Sequence, residues 1–309
     1  MLYVSTRSTA ETYTAHRALH EPRTPDGGFF VPYHLPVYSQ QDLSRLKKQS
    51  FCDTVAEILN LFFSLRLTGL DLECVIGRTP VKSVLMNQKL TVVETWRNPD
   101  GSFRYLLNSI YHLLTGKSRA SVGWSCIAIE IAVLFGMYSL LEDSQKAYDI
   151  AVTAGDFADL AAVFYAKDMG LLVNVTVCAC SESSPAWDLV NRGQFSTNTN
   201  VDVLTYMECF LCNCFGVTGV LKYLNACDRG AVCCFEEEQT AMLAGRMFAA
   251  VVSTNRVDSV ISSMYRTNQY HIDPYTAFAY GGLQDYRAQT GVNRDTLLLA
   301  KLRPESVKE

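Results

Sequence analysis

The sequence has no surplus of positive charge, which excludes one broad class of partner. Its 309 residues include 27 lysines and arginines against 31 aspartates and glutamates, so the formal net charge is -4. The longest run of like charge is the three glutamates at positions 236–238. Proteins that bind nucleic acid need a basic surface to neutralise the phosphates. No nucleic-acid role is therefore expected.

Long apolar runs are also missing. The most apolar stretch, residues 126–141, is 16 residues long and contains Glu130, whereas a membrane-spanning helix needs about 20 apolar residues. The first 14 residues do not contain a basic stretch followed by an apolar one, which is the pattern of a secretory signal. We expect a protein that is not exported, does not associate with a membrane and resides in the cytoplasm.

The sequence lacks the short motifs that mark common active sites. It contains no G-x-x-x-x-G-K-[ST] phosphate loop, no G-x-G-x-x-G after a strand, no G-x-S-x-G and no H-E-x-x-H. Apart from the run at 236–238, its carboxylates and histidines are scattered, so spacing alone does not select a catalytic pair. Composition and periodicity therefore indicate no particular reaction.

The 11 cysteines do not form a metal-binding pattern of the usual kind. Zinc sites normally combine two pairs of ligands, such as Cys-x-x-Cys twice, and we find one such pair, Cys209 and Cys212. The other cysteines considered are Cys178, Cys180 and Cys214. His16 and His20 share a helix face, but no acidic third ligand accompanies them. We expect reduced, buried cysteines and no metal.

Residues 149–180 carry the clearest structural pattern. A short apolar run at 150–152 is followed by a turn around Gly155, by apolar residues at helical spacing over 157–165, and by a largely β-branched run at 173–177. This is a strand, helix, strand unit, which requires a parallel sheet and a right-handed crossover. It directs the start of the helix to the carboxyl edge of the sheet, where backbone N–H groups favour an anion.

The remaining patterns extend this alternation along the chain. We predict helices over residues 9–19, 41–67, 102–114, 124–141, 201–215, 239–252, 256–267 and 273–290, and strands at 2–7, 90–95 and 296–302. Strands that alternate with helices favour a three-layer α/β fold with a mostly parallel sheet.

Five segments, in order, resemble the threonine synthase family. Y-V-S-T-R at 3–7 and D-G-G-F-F-V-P at 26–32 are similar to the family's Y-x-S-T-R-G and D-G-G-L-Y-V-P. S-V-G-W-S-C-I-A-I-E-I-A-V-L-F at 121–135 is similar to S-I-N-W-A-R-I-x-x-Q-x-x-Y-Y-F. The others are A-G-D-F-A-D-L-A-A-V-F-Y-A-K-D-M-G at 154–170 and I-D-P-Y-T-A at 272–277, which are similar to S/T-G-N-F-G-N-x-x-A-G-x-x-A-K-x-M-G and D-P-H-T-A.

The resemblance implies the fold of the fold type II enzymes that depend on pyridoxal phosphate (PLP). It implies a small N-terminal domain of the threonine synthase type at residues 1–85 and a PLP-fold large domain at 86–309. In the family a mobile subdomain with an S-G-D-T-G motif closes over the substrate. Here only residues 116–120 separate the two helices that flank it, so this subdomain is expected to be deleted.

The segment that carries the cofactor lysine in the family departs from the pattern. The family reads E-L-F-H-G-P-T-L-A-F-K-D, and its lysine forms a Schiff base with PLP. This chain reads E-T-W-R-N-P-D-G-S-F-R-Y over residues 94–105, which aligns Arg104 with the lysine. A guanidinium stays protonated and does not act as an imine-forming amine.

Two other cofactor contacts of the family are altered. Its phosphate loop, G-N-F-G-N, corresponds here to Gly155-Asp156-Phe157-Ala158-Asp159. Two like charges about 4 Å apart repel each other by ~1 kcal/mol in water and by more in a cleft, although Asp156 taken alone is an ordinary helix cap. The family's A-T-A-H-P, whose hydroxyl contacts the pyridine nitrogen, corresponds to A-K-L-R-P with Lys301.

Taken together, these departures imply a threonine synthase-like protein that is catalytically inactive and carries no cofactor. Its surviving role would be binding or interaction, as a homo-oligomer or in a complex with another protein such as a complete threonine synthase. The vestigial pocket would consist of Arg104, Gly155, Asp156, Phe157, Ala158, Asp159 and Lys301.

The sequence leaves two alternatives open. The first is a PLP-dependent lyase of amino-acid biosynthesis that uses a different lysine, Lys117 or Lys301. The second is a cleft that holds a small acidic metabolite through Arg97, Arg104 and Lys301, since arginine favours carboxylates. Against the second, Arg104 would instead pair within the protein, with Asp156 or Asp159.

Overall fold

The computed structural model describes residues 1–118, 122–142, 146–198 and 201–305, without the side chains of Val201 and Val203. Within these residues the strands are β1 (Leu2–Ser5), β2 (Tyr13–Thr14), β3 (Phe30–Pro32), β4 (Lys82–Asn87), β5 (Leu90–Glu94), β6 (Tyr148–Thr153), β7 (Val173–Cys180), β8 (Gln194–Ser196), β9 (Val232–Cys234), β10 (Met247–Val251) and β11 (Thr296–Ala300). The helices are α1 (Ala15–His20), α2 (Gln40–Leu46), α3 (Phe51–Phe63), α4 (Gly69–Ile76), α5 (Phe103–Thr115), α6 (Trp124–Ser139), α7 (Ala158–Asp168), α8 (Pro185–Arg192), α9 (Met207–Asp228), α10 (Glu237–Ala244), α11 (Val257–Asn268) and α12 (Pro274–Thr290).

A six-stranded sheet lies at the centre, in the order β10-β7-β6-β11-β5-β4. Neighbouring strands are parallel except β4 and β5. Side chains alternate between the two faces, so Ile150 and Val152 of β6 enter one core and Ala151 enters another. Helices α11 and α12 cover the face of Ala151, and α6 and α7 pack on the opposite side. The predicted three-layer α/β fold is confirmed.

The strand, helix, strand unit at 149–180 is present as β6, α7 and β7. The two strands pair in parallel, and Gly170 ends the helical segment in a left-handed conformation with φ 101°. Thr153, at the end of β6, leads directly into the turn at Gly155. The helix start therefore lies at the carboxyl edge of the sheet, as the pattern predicted.

Two predicted helices are wrong in part because strand pairing takes over their residues. The helix expected over 9–19 begins only at Ala15, since Tyr13 pairs with Tyr3 in the sheet of β1, β2 and β3. The helix expected over 239–252 ends at Ala244, and Met247–Val251 forms β10, which pairs with β7 at the sheet edge. Long-range pairing outweighs helical periodicity in both places.

Two further helices have different bounds from those predicted. The single helix expected over 41–67 is divided into α2 and α3, because Ser50 caps a new helix start by accepting the N–H of Asp53. The cysteine-rich helix expected over 201–215 begins at Met207 and runs to Asp228, with a kink at Gly216, where φ is 67°. Gly216 supplies a backbone conformation that other residues rarely adopt.

The most apolar helix, α6, is almost wholly enclosed. Trp124 at its start is fully buried and makes edge contacts with the rings of Tyr3, Phe62 and Tyr165, at centroid distances of 6.2, 5.6 and 5.1 Å. The indole thus joins the N-terminal strand, α3 and α7 in one core. None of the helices in the described segments has the length and apolar character needed to cross a membrane.

A buried carboxylate fastens the N-terminal segment to α9. Glu208 accepts two hydrogen bonds from the guanidinium of Arg7, at 2.8 and 3.0 Å, and another from Arg23 at 3.3 Å. Thr6 donates its hydroxyl to the same carboxylate at 3.1 Å. Thr6 and Arg7, two residues of the Y-V-S-T-R pattern, therefore join the N-terminal segment to α9 through hydrogen bonds to a charged carboxylate.

The domain division at residue 85 stays a prediction. Strand β4 spans this position and pairs with β5 as the outer strand of the central sheet. The N-terminal strands and helices share one continuous apolar core with α6 and α7.

Replacing Gly170 by alanine is expected to lower the free energy of unfolding by about 2 kcal/mol, because a new Cβ would lie 2.3 Å from the backbone oxygen of Tyr38. Gly116 is the matched control: it also has positive φ, but a Cβ there meets nothing within 4 Å. Gly116→Ala should cost only the left-handed strain of about 1 kcal/mol. Urea unfolding of both variants measures the difference, and equal midpoints would contradict the close approach at Tyr38.

Candidate functional site

A cleft of about 620 Å³ lies beside the turn that follows β6 and the residues that follow β11. Its walls come from α5, α6, the start of α7 and the start of α12. The lining residues are Phe103, Arg104, Leu107, Asn108, Val122, Cys126, Glu130, Gly155, Asp156, Ala158, Asp159, Tyr206, Tyr275, Lys301 and Leu302. The position beyond the carboxyl ends of parallel strands is where α/β sheets ordinarily bind ligands.

Six of the seven residues predicted for the vestigial pocket line this cleft, and Phe157 does not. Phe157 is fully buried, and its ring centroid lies 5.4 Å from that of Phe210. Its backbone adopts a left-handed conformation with φ 70°. Phe157 therefore anchors the turn to α9 through the apolar core, while its neighbours in sequence face the cleft.

The start of α7 is capped by a carboxylate of the chain itself. Asp156 Oδ1 accepts the backbone N–H of Ala158, the first residue of the helix, at 3.1 Å. The carbonyl of Asp156 accepts the N–H of Tyr206 at 3.0 Å, which holds the turn against the start of α9. Burial raises the pKa of the Asp156 carboxyl, although the Ala158 N–H opposes this shift. An anion from solution would meet this carboxylate at the helix start.

Lys301 is held in the floor of the cleft by an ion pair with Asp159. Its ammonium also lies 4.2 Å from the ring centroid of Phe103. Burial is the largest single influence and by itself would lower the pKa of Lys301, but Asp159, Glu130 and Tyr275 together outweigh it and the pKa lies above the usual value. Burial raises the pKa of the neighbouring Glu130 well above its usual value. Lys301 is therefore protonated and paired at neutral pH.

Arg104 does not make the internal ion pair considered from the sequence. Its side chain is exposed at the cleft, and Asp159 is paired with Lys301 instead. Within the described segments Arg104 has no ion pair with any carboxylate. Arg104 also borders a shallower depression of about 460 Å³ that continues along α5 to His112. Arg104 thus lines both the cleft and this second depression.

Two residues proposed from the sequence lie away from the cleft. Arg97 donates to Glu94 at 2.6 Å and stacks on Trp96 at 4.6 Å from the ring centroid, so it does not join Arg104 and Lys301. Lys117 is exposed and donates to the carbonyl of His20 at 3.2 Å. The structure therefore does not bring Arg97 together with Arg104 and Lys301, and it places Lys117 outside the described lining of the cleft.

Several cleft residues lie in the segments that resemble the family, at 121–135 and 272–277, but were not predicted to line the pocket. Tyr275 hydrogen-bonds Thr153 across the end of β6. Cys126 contacts Tyr206, and burial raises the pKa of the Cys126 thiol to about 11, so the thiol is not a thiolate at neutral pH. Glu130 was noted only as part of the apolar stretch at 126–141. The one sequence feature that could have indicated Glu130 as a cleft residue is that it is a single acidic residue within an apolar helix.

The cysteines and histidines considered as metal ligands are not grouped as a metal would need. Across the described residues, three or more His, Cys, Asp or Glu side chains do not come together in a suitable cluster. Cys209 and Cys214 are buried in α9, and burial raises the pKa of both thiols. The rings of His16 and His20 contact each other in a tilted arrangement, with centroids 4.4 Å apart.

The helices that would flank a mobile subdomain are joined by a short link. Helix α5 ends at Thr115 and α6 begins at Trp124. The deletion predicted near 116–120 falls in this link, and residues 119 and 120 lie outside the described part of the chain. The deletion stays a prediction.

The residues of the cleft do not fit PLP. The position of the family lysine holds Arg104, and Lys301, the one lysine lining the cleft among the described residues, is paired with Asp159. The helix start that would receive the phosphate is occupied by the Asp156 carboxylate. Among the described residues of the cleft, no unpaired lysine and no uncapped helix start are thus open to the cofactor.

The chain is similar to known proteins in its N-terminal sequence and in its fold. Residues 2–79 match the family described as threonine synthase N terminus. The PLP-bound threonine synthase from Brucella melitensis aligns with a TM-score of 0.85 at 15% identity, covering 98% of this chain and 89% of that one. The yeast enzyme aligns with a TM-score of 0.80 at 15% identity, covering 98% of this chain and 87% of that one. The Escherichia coli enzyme gives 0.73 at 15% identity, covering 98% and 89%.

At this level of identity the structural matches establish the fold, and the N-terminal match establishes the likeness in sequence. The resemblance predicted from the motifs is therefore confirmed: residues 2–79 match the threonine synthase N terminus family, and the chain has the fold of the threonine synthases.

Proposed function

We propose that this chain is a threonine synthase-like protein without catalytic activity, whose cleft binds no PLP and whose surviving role is binding. The observation that carries the proposal is the ion pair between Lys301 and Asp159 in the cleft floor. A protonated, paired ammonium is not a nucleophile. Because Arg104 replaces the family lysine, the described cleft contains no other lysine to take that role.

The capped helix start supports the same proposal independently. In the family this turn presents backbone N–H groups to a phosphate. Here the Asp156 carboxylate accepts the Ala158 N–H and adds a negative charge at the same place. A phosphate dianion would have to displace that carboxylate and approach it closely, at a cost of several kcal/mol in a cleft. The loss of the amine and the loss of the anion site therefore both argue against PLP binding.

The alternative reading, a PLP-dependent lyase with a different lysine, finds little support. Lys117 lies outside the cleft, and Lys301 would have to break its ion pair and lose a proton before reacting. Its raised pKa makes that loss unfavourable at neutral pH. Self-association and a complex with a complete threonine synthase remain proposals for the binding role. Native mass spectrometry that gave monomer alone, with no co-purifying partner, would contradict them.

Adding PLP to the purified protein is expected to leave both the visible absorbance of PLP and the melting temperature of the protein unchanged. The Arg104→Lys variant should behave in the same way, because Asp156 and the Lys301–Asp159 pair would still oppose the cofactor. The PLP-bound threonine synthase of Brucella melitensis serves as the positive control. A saturable rise in melting temperature of the wild type with PLP would contradict the proposal.

A further inference from the structure

Cations line the amino edge of the central sheet, at the opposite end of the strands from the cleft. Four of them precede a parallel strand by one or two positions. The fifth comes from α7 and reaches the start of β7 by donating to the carbonyl of Asn174 at 2.7 Å. In strand order from β10 to β5 the five are Arg246, Lys167, Lys146, Arg294 and Lys89. Positive charge is thus gathered along one edge of a chain whose formal net charge is -4.

Three of these cations, which we call the basic group, present their charge to solvent. Lys89 and Lys146 share one oxygen of Asp295, at 3.2 and 2.9 Å, and Arg294 lies 3.9 Å from Asp149. The three basic side chains are 43%, 44% and 48% exposed, whereas the two carboxylates are 15% and 0% exposed. Because the cations outnumber the carboxylates and lie outside them, the group offers a positive surface to an anionic partner.

Negative charge is most concentrated at the start of α10. Glu236, Glu237 and Glu238, which we call the acidic run, are the longest run of like charge in the sequence, and all three are exposed. Glu236 accepts from Lys222 at 2.8 Å. Glu237 and Glu238 have no ion pair with any residue that the structure describes. Two unpaired carboxylates therefore face solvent at the start of a largely exposed helix.

Within one molecule the acidic run and the basic group are held apart. Helix α10 leads through Gly245 into β10, which is the edge strand, whereas the basic group surrounds the start of β11. Strands β7 and β6 lie between them, so three strand spacings of about 4.8 Å separate β10 from β11. The two charged surfaces are therefore available to other molecules and not to each other.

Each charged surface also has an exposed apolar side chain beside it. Leu85, which is 63% exposed, pairs in the sheet with Thr91, two positions after Lys89. Met242, which is 44% exposed, lies one helical turn after Glu238 on the same face of α10. Protein interfaces combine apolar contacts with complementary charges. The two surfaces thus match in both respects.

We propose that the basic group of one molecule docks the acidic run of a second copy of this chain. Because the two surfaces differ, the contact is heterologous, and every dimer keeps one free surface of each kind for further copies. A contact built mainly from exposed charges is small and depends strongly on salt. The inference rests on the proposed function in that it supplies the surfaces for self-association, one of the binding roles proposed there.

Sedimentation velocity at low and high salt tests the contact. The wild type should associate with rising concentration at about 20 mM NaCl and return to monomer at about 500 mM NaCl, because screening shortens the reach of exposed charges. The double variants Lys89→Gln, Lys146→Gln and Glu237→Gln, Glu238→Gln should each weaken association at least tenfold. Lys146→Gln alone leaves Lys89 on Asp295, so it should keep the fold and still weaken association at least threefold.

The double variant Arg45→Gln, Arg192→Gln is the matched control. It changes the net charge by the same amount as the double lysine variant and also removes two exposed cations that pair with carboxylates. These arginines lie outside the basic group, so association should be unchanged. Loss of association in this control would show that net charge, and not the basic group, governs it.

Mixing the two associating-defective double variants tests which surfaces meet. The variant of Lys89 and Lys146 keeps an intact acidic run, and the variant of Glu237 and Glu238 keeps an intact basic group. Neither should associate alone, but an equimolar mixture should form one contact and stop at a heterodimer. A mixture that stays monomeric, while the wild type associates, would contradict the docking of these two surfaces on each other.

Two other results would overturn the inference: a wild type that stays monomeric at low salt and high concentration, or double variants that associate as the wild type does. In the second case self-association would survive as a binding role through other surfaces. The failure of the inactive, cofactor-free state has a separate signature. Covalent attachment of PLP to a cleft lysine after reduction would contradict that state and leave the contact between copies standing.

Discussion

Replacing Lys301 by methionine is expected to lower the free energy of unfolding by about 3 kcal/mol. The substitution removes the ammonium but leaves the Asp159 carboxylate, whose side chain is 10% exposed, without its partner in the cleft floor. Breaking a buried ion pair by deleting one member costs about 3–5 kcal/mol, because the other charge stays desolvated. Because the pKa of Lys301 lies above that of an unfolded lysine, its contribution is complete at neutral pH and is lost only as the pH rises above about 10.4.

The double variant Lys301→Met, Asp159→Asn supplies the matched control. Removing both charges leaves no unpaired ion, so the double variant should be more stable than the sum of the single losses predicts, by about 2 kcal/mol. Urea unfolding of the four proteins gives this coupling energy. Additive losses, or a Lys301→Met variant within about 0.5 kcal/mol of the wild type, would show that the lysine is not held as described.

The second large effect concerns the N-terminal core. Trp124→Ala should lower the free energy of unfolding by about 3–5 kcal/mol, because a fully buried indole that contacts Tyr3, Phe62 and Tyr165 leaves a cavity that these rings cannot close. Leu70→Ala is the control, since Leu70 is 66% exposed and should change stability by less than about 0.5 kcal/mol. Thermal and urea unfolding give both values.

A small loss in Trp124→Ala, comparable with that of Leu70→Ala, would mean that the N-terminal strands do not share a core with α6. Limited proteolysis provides a further readout. If the shared core fails first, cleavage in Trp124→Ala should begin within residues 2–63 and spare the central sheet.

Much of the fold follows from local patterns in the sequence. The unit at 149–180 is predictable because its apolar spacing, the turn at Gly155 and the stop at Gly170 lie within one continuous segment. Strand β10 is not, because Met247–Val251 becomes extended only through its pairing with β7. The small strands β8 and β9 depend on each other in the same way. Where a strand forms only by pairing with a distant segment, the helical periodicity of its sequence gives a wrong prediction.

The site is predictable to a lesser degree. The motif alignment assigned seven residues to one pocket: Arg104, the five residues of the turn at 155–159, and Lys301. Six of these seven line the cleft. It did not assign the partners. Lys301 and Asp159 are 142 positions apart, and which cation meets which carboxylate depends on how α7 and the end of β11 pack. Arg97 was misplaced for a different, local reason, since its contact with the nearby Glu94 turns it away from the cleft.

Under the proposed function, the charge pattern of the cleft is the feature that would distinguish this protein from the threonine synthases whose fold it shares. The family lysine position holds a guanidinium, the remaining cleft lysine is neutralised by Asp159, and the helix start carries its own anion at Asp156. Under the proposed function, each change removes one requirement for holding PLP.

Reductive trapping tests the absence of cofactor chemistry most directly. The purified protein is incubated with PLP, treated with borohydride and digested, and the peptides are mapped by mass spectrometry, with the Brucella melitensis threonine synthase as the positive control. We predict that no peptide containing Lys301 carries a reduced pyridoxyl group, and that any modification is spread over exposed lysines such as Lys117. Stoichiometric modification of Lys301 alone would contradict the account.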